Sequence, residues 1–150
     1  MYKRILVGFD DSEVGRRALS EALGLAKESG AVVRIVHAVD VMLLSTGEVY
    51  MDLEAYRRER VAAGQDVLDR ASALAREAGV EVETALIEVE GTQFSNAIIA
   101  EAKTWSAELV VLGTHGRGAL AHLLMGSVAE RVIRHSPIPV LLVKGPKTGS

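Results

Sequence analysis

Between positions 113 and 127 the chain reads GTHGRGALAHLLMGS, with Gly113, Gly116 and Gly126 separated by two and nine residues and Ser127 directly after the last. Glycine accepts positive φ and lets backbone N–H groups come close to a bound group. A helix starting at Ser127 would add unpaired N–H donors and a partial positive charge. Together these features make a site for a phosphate. The run is not a Walker A loop, because no Gly-Lys-Ser/Thr follows and no lysine lies between 113 and 127 to reach a terminal phosphate. Nor is it the dinucleotide fingerprint, which is ordered GxGxxG and follows the first strand, whereas this order is GxxGxG after a fourth.

The elements that must position this loop follow from the hydrophobic pattern. Short β-branched runs predict strands at 5–9, 32–39, 80–87, 109–112 and 140–143. Helical spacing covers 13–29, about 53–78 and about 94–105, with Gly30 and Gly79 as stops. A fourth helical pattern begins at 127 and ends at His135. Alternating strands and helices argue for parallel βαβ units with right-handed crossovers, hence an open sheet covered on both faces. The first and fourth strands are almost wholly apolar and belong at its centre, and 80–87, which alternates Val with Glu and Thr, belongs at an edge. With the order 3-2-1-4-5, the chain reverses between strands one and four, and ligands of such sheets bind beyond the carboxyl ends at that point. The loops meeting there begin at Asp10 and Gly113, so topology and glycine spacing indicate one site.

Composition bounds the remaining readings. The 150 residues fit one domain, 1–150, and 49% hydrophobic with 25% charged residues is ordinary for a folded globular chain. A net charge of −3 lacks the positive field expected of a non-specific nucleic-acid binder. There is no cysteine, which excludes disulfides, thiolate metal sites and cysteine nucleophiles. No signal segment or membrane-spanning apolar run appears, so no membrane partner and a cytoplasmic location are expected.

On its glycine motif the chain resembles the universal stress protein A family, whose nucleotide-binding members carry Gly, two residues, Gly, nine residues, Gly and then Ser or Thr. The resemblance extends to the strand ending in Asp10 with Ser12 just beyond, to HisAlaVal at 37–39, to LeuValValLeuGly at 109–113 and to SerProIleProValLeuLeuVal at 136–143. It implies a Rossmann-like or flavodoxin-like α/β domain of the adenine nucleotide alpha hydrolase type, with five parallel strands. It also implies ATP as ligand, with Mg²⁺ held through the phosphates, and a homodimer joined near the last strand. Carried over by position, Gly8, Phe9 and Asp10 border the adenosine, and the main chain at Ala38 and Val39 meets the adenine edge. Gly113 and Gly116 pass beneath ribose and phosphates, with Leu112 just before them. Gly126, Ser127 and the Val128 amide hold the phosphate tail, and Arg117 adds a charge-assisted contact.

Several of these residues have a purely structural alternative. SerValAlaGlu at 127–130 spells a capping box, with Ser127 as cap and Glu130 reaching back, and Asp10 to Glu13 spells another. Asp11 reads as a solvated first-turn acid. His115 and His122 lack a carboxylate at metal-ligand spacing and read as loop or surface groups, so no metal site of the protein's own is expected; His37 reads as a structural histidine and His135 as a cation at a helix end. Leu120, Leu123, Leu124 and Met125 suggest a helical turn docked on the sheet, and the apolar 41–51 connection reads either as a cover for the adenine or as a lead into the second helix. Two places depart from the family pattern: 91–96 lacks the usual Pro and acid, and Glu108 stands where Asp is common.

Phosphoryl transfer needs a positioned metal and a group orienting the nucleophile, and no such set is visible beyond Asp10 and the loop. The expectation is therefore a nucleotide-dependent stress-response or signalling module, with no catalytic residue assigned and at most slow ATPase or autophosphorylation activity. Two alternatives remain open at this point. One is a phosphoacceptor receiver built on Asp10, Asp11, Thr114 and Lys144, for which the strand-three segment 86–90 lacks the acceptor aspartate; the other is a nucleotide-free dimer of the same family. The apolar ValLeuLeuVal edge at 140–143 gives dimerisation a physical motive in either case.

Overall fold

The computed structural model describes residues 1–42, 52–91, 93–115 and 125–145. Its elements are β1 (Arg4–Gly8), α1 (Glu13–Ser29), β2 (Val32–Asp40), α2 (Leu53–Glu77), β3 (Val82–Val89), α3 (Phe94–Thr104), β4 (Leu109–Gly113), α4 (Ser127–His135) and β5 (Val140–Val143). All four pairings are parallel and the sheet order is β3-β2-β1-β4-β5. The expected order thus stands, with β3 and β5 at the two edges. It follows the Rossmann order 3-2-1-4-5 rather than the 2-1-3-4-5 order of flavodoxin and receiver domains.

Strand alternation divides the core into two layers. Ile5 and Val7 of β1 pack with Leu19 and Leu23 of α1 and Leu68 of α2, while Leu6 turns to the opposite face and meets Ile98 of α3, Val132 of α4 and Trp105. Gly64 lets α2 lie close on β2 and β3, because a Cβ there would stand 2.7 Å from both Leu86 Cδ1 and Val39 Cγ1. At the amino edge of the sheet, Trp105 lies under two guanidinium groups, with Arg4 Cζ 4.3 Å and Arg34 Cζ 5.3 Å from the ring centroid. Arg4 also donates to the Trp105 carbonyl at 2.9 Å, and Arg34 is paired with Glu83 and Glu101. Each cation–π contact contributes on the order of 0.5–1 kcal/mol, which fixes α3 to the end of the sheet away from the glycine loop.

Glu108 acts at that same edge. Its Oε1 accepts the Lys3 and Arg4 amides at 2.7 and 3.0 Å, closing the start of β1. The longer side chain at this position therefore serves packing of the amino edge rather than the loop beyond β4. Strand three begins later than its apolar pattern suggests, at Val82 instead of 80, because Val80 is used by the helix before it. The Val80 amide donates back to the Ala75 carbonyl and Gly79 takes φ of 73°, a Schellman stop that consumes two residues.

Candidate functional site

The carboxyl ends of β1 and β4 leave the sheet side by side, and the starts of α1 and α4 converge on them. The capping assignments differ from both sequence readings. Ser12 is the N-cap of α1, its Oγ accepting the Gly15 amide at 2.9 Å. Asp10 stands one step behind: its Oδ1 accepts the Ser12 amide at 3.0 Å and the Ser12 hydroxyl at 2.6 Å. Asp10 therefore orients the cap and is not the cap, which leaves its carboxylate held over the first turn of α1. Gly15 keeps that geometry, since a Cβ there would lie 2.5 Å from Asp10 Oδ1.

At α4 the N-cap is Gly126, and Ser127 occupies the first helical position. The capping-box reading of Ser127 and Glu130 is thereby overturned. No side chain among the described residues caps this helix, and Glu130 instead pairs with Arg134 at 2.7 Å. Ser127 is exposed. The amides of the first turn, up to Ala129, have no helical carbonyl to bind, whereas Glu130 N–H already reaches Gly126 O at 3.1 Å. The Gly126 amide donates to the Thr114 carbonyl at 2.6 Å, which ties the start of α4 to the exit of β4.

The glycines of the motif have a different physical basis from the one the sequence suggests. Neither Gly113 nor Gly126 has positive φ; Gly126 sits at φ −71°. They are required by close approach of the chain to itself. A Cβ at Gly113 would stand 2.6 Å from Val14 Cγ1 and 3.3 Å from the Val14 carbonyl carbon, and one at Gly126 would stand 3.2 Å from Thr114 O. The two positions thus pull both helix starts in against β4. Gly116, Arg117, His122 and the Leu120–Leu124 cluster lie outside the described residues, as does 43–51 of the connection after β2.

The second strand completes the crevice. Pairing of β1 with β2 stops at Gly8 and Val36, with the Phe9 amide donating to Val36 O at 2.9 Å, while pairing of β2 with β3 runs on to Asp40 and Val89. Beyond Val36 the edge of β2 nearest β1 therefore borders the switch point. In a parallel ladder each residue turns its N–H and C=O to one side, so Ala38 faces the crevice as Val36 does, and Val39 faces β3. Among the described residues Phe9 and Leu112 are buried and Gly8 and Val128 half-buried. His37 holds a structural place, its Nδ1 2.7 Å from the Phe9 carbonyl. His115 is not simply a surface group: Nδ1 lies 3.2 Å from Thr114 Oγ1 and Nε2 is buried without a partner among the described residues.

Two acids near the crevice were not singled out by sequence reasoning, or were read differently. Asp40 ends β2 as Asp10 follows β1, and its Oδ1 accepts the amides of Met42 at 2.9 Å and Gly91 at 3.1 Å, joining two loops at the carboxyl edge. Asp11 is not a solvated acid. It takes φ of 60° and its side chain is 12% exposed, between Arg16 at 3.0 Å and Arg70 at 2.9 Å. Burial pushes its pKa up, but hydrogen bonds and charge from Arg70 and Arg16 outweigh that and hold it below the usual carboxylate range. A depressed folded pKa stabilises the fold above the unfolded value of about 3.9 and loses that contribution as pH falls through the folded value. Asp11→Asn should therefore lose stability at neutral pH and show a flatter decline below about pH 4 than the parent, as read by urea denaturation across pH 2–7.

No group of three or more His, Cys, Asp or Glu suited to a metal is present among the described residues. No helix among them is long and apolar enough to cross a membrane. What the crevice offers is a helix start without a side-chain cap among the described residues, a second helix start carrying a fixed carboxylate, and a main-chain edge. The family model described as the universal stress protein family matches residues 1–144. The chain belongs to this family. A universal stress protein of Methanocaldococcus jannaschii is 37% identical over 151 residues, covering 98% of this chain and 85% of that one. A solved universal stress family structure from Burkholderia pseudomallei is 34% identical, with a TM-score of 0.76 over 95% of this chain and 96% of that chain. A third relative, the universal stress protein of Archaeoglobus fulgidus in complex with dAMP, is 26% identical, with a TM-score of 0.70 over 95% and 98% of the two chains. Within this family the receiver alternative lapses: the strand order is not that of a receiver, and β3 ends in Val89 followed by Glu90.

Proposed function

We propose that this universal stress protein binds ATP in the crevice between β1 and β4 and acts as a nucleotide-dependent, cytoplasmic stress-response or signalling module. The observation that carries the reading is the start of α4: its first amides lack a helical or side-chain partner among the described residues, and Gly126 seats them against the exit of β4. Such a terminus fits a phosphate chain. The Ala38 main chain fits an adenine edge and Asp10 a ribose, and a related protein with the same fold holds dAMP. Mg²⁺ would be held through the phosphates. Without a lysine in the loop, and with no group to orient a nucleophile apparent among the described residues, the site is suited to holding ATP more than to turning it over. The test is identification by mass spectrometry of what gentle denaturation releases from the purified protein: an adenine nucleotide at near one per chain is expected, and its absence, together with no saturable ATP uptake, refutes the reading.

The same protein is proposed to be a homodimer through β5. This strand is an edge with Leu141 exposed on it, so unpaired backbone and an apolar side chain lie together. Sedimentation of the parent at micromolar concentration should give a dimer and Leu141→Arg a monomer; a monomeric parent overturns it.

A further inference from the structure

Away from the crevice, on the face covered by α1 and α2, the two helices leave a groove of about 340 Å³. Its apolar lining is Leu74, 37% exposed near the end of α2, with Ala78 and the nearly buried edges of the core residues Leu19 and Leu23. Its α1 wall carries Arg16, Ser20, Gly24 and Lys27 along one side of the helix, a rise of about 16 Å from first to last. Gly24 has no packing reason among the described residues. Nothing described lies within 4 Å of where its Cβ would be, although glycine in the middle of an exposed helix costs stability. With Ser20 one turn before it, it leaves the wall low enough for a second helix backbone to approach.

The charge of this lining is one-sided. Arg16 and Lys27 belong to it and no carboxylate does; Glu13, Glu21, Glu28 and Glu77 of the same helices lie outside it. Asp11, the acid facing Arg16, is shared with Arg70, so that trio keeps one net positive charge at the upper end, and Lys27 has no ion pair among the described residues at the lower end. In a chain of net charge −3 this is a local positive strip over an apolar floor. We infer that the α1–α2 groove docks an amphipathic helix of a partner protein whose apolar ridge is flanked by carboxylates. Leu74 meets the ridge, the low wall at Ser20 and Gly24 sets the closeness of approach, and Arg16 and Lys27 fix orientation by meeting acids on the partner. The groove lies on the helical face rather than at the carboxyl edge, so occupation does not require the crevice to be empty.

The probe is a labelled synthetic peptide of about 14 residues, long enough for about 20 Å of helix, with leucines at i, i+3, i+4 and i+7 and glutamates flanking them, compared with the same peptide carrying lysines in place of the glutamates. Fluorescence anisotropy with the full chain should show saturable binding of the glutamate peptide, at least tenfold weaker binding of the lysine peptide, and weakening with added salt. Gly24→Gln should abolish binding while raising the melting temperature, and Lys27→Glu should weaken the glutamate peptide at least tenfold. Equal binding of both peptides, no binding of either, or unchanged binding by folded Gly24→Gln overturns the inference. So does loss of a dimer in Gly24→Gln on sedimentation, which would assign the groove to a second copy of the chain.

Discussion

Ser127→Glu should lower ATP affinity about 100-fold or more while leaving the melting temperature unchanged or slightly higher. Ser127 is the exposed first residue of α4, so the substitution adds its side chain at the surface. An acid in the first turn complements the helix dipole and contributes about 0.3–1 kcal/mol to the fold. A phosphate bound at the same helix start would face that carboxylate from roughly 5 Å, where two like charges at an effective dielectric near 20 repel by about 3 kcal/mol. That is about two decades of affinity. Ser127→Ala is the milder control: it removes one hydroxyl from a charged ligand, about 1.5–3 kcal/mol, and with the Gly126 cap untouched it should cost the fold nothing measurable. Opposite movement of affinity and stability in one variant separates a phosphate site from a structural helix cap.

Gly113→Val should destabilise the protein by about 1–3 kcal/mol and lower its melting temperature by roughly 3–10 °C, whatever the ligand. The reason is the approach of Val14, whose Cγ1 would stand 2.6 Å and whose carbonyl carbon 3.3 Å from the new Cβ. The side chain can turn away, but the backbone of the first turn of α1 cannot move without disturbing Ser12, its cap, and Asp10 behind it. Nucleotide affinity would fall as well, through displacement of α1 and not through a lost contact. Thermal denaturation without nucleotide distinguishes the two causes: a melting temperature equal to the parent's would contradict the packing role given to Gly113.

Those two residues also show how far the sequence could be read. The strands and their order were legible because β1 and β4 are unbroken apolar runs flanked by helical spacing, and only β3 slipped, where the Schellman turn at Gly79 used Val80. The place of the crevice was legible from topology together with glycine spacing. The work of individual residues was less so. A pattern such as Asp10-x-x-Glu13 overlaps a second cap candidate at Ser12, and only the three-dimensional turn decides between them. Ser127 and Gly126 compete for one cap in the same way, and the glycine takes it. Asp11 was read as solvated because its partner Arg70 lies 59 positions away in α2, a pairing that no local pattern encodes. Asp40 carried a faint signal, an acid closing an apolar strand as Asp10 does, but its two amide partners come from separate loops.

The central claim is that the start of α4 and the exit of β1 hold an adenine nucleotide, and calorimetric titration of Mg-ATP into the nucleotide-stripped parent and Ser127→Glu proteins tests it most directly. The account predicts saturable binding of one nucleotide per chain to the parent and a loss of about 100-fold or more in the variant. No binding by the folded parent, or equal binding by the two proteins, would contradict it.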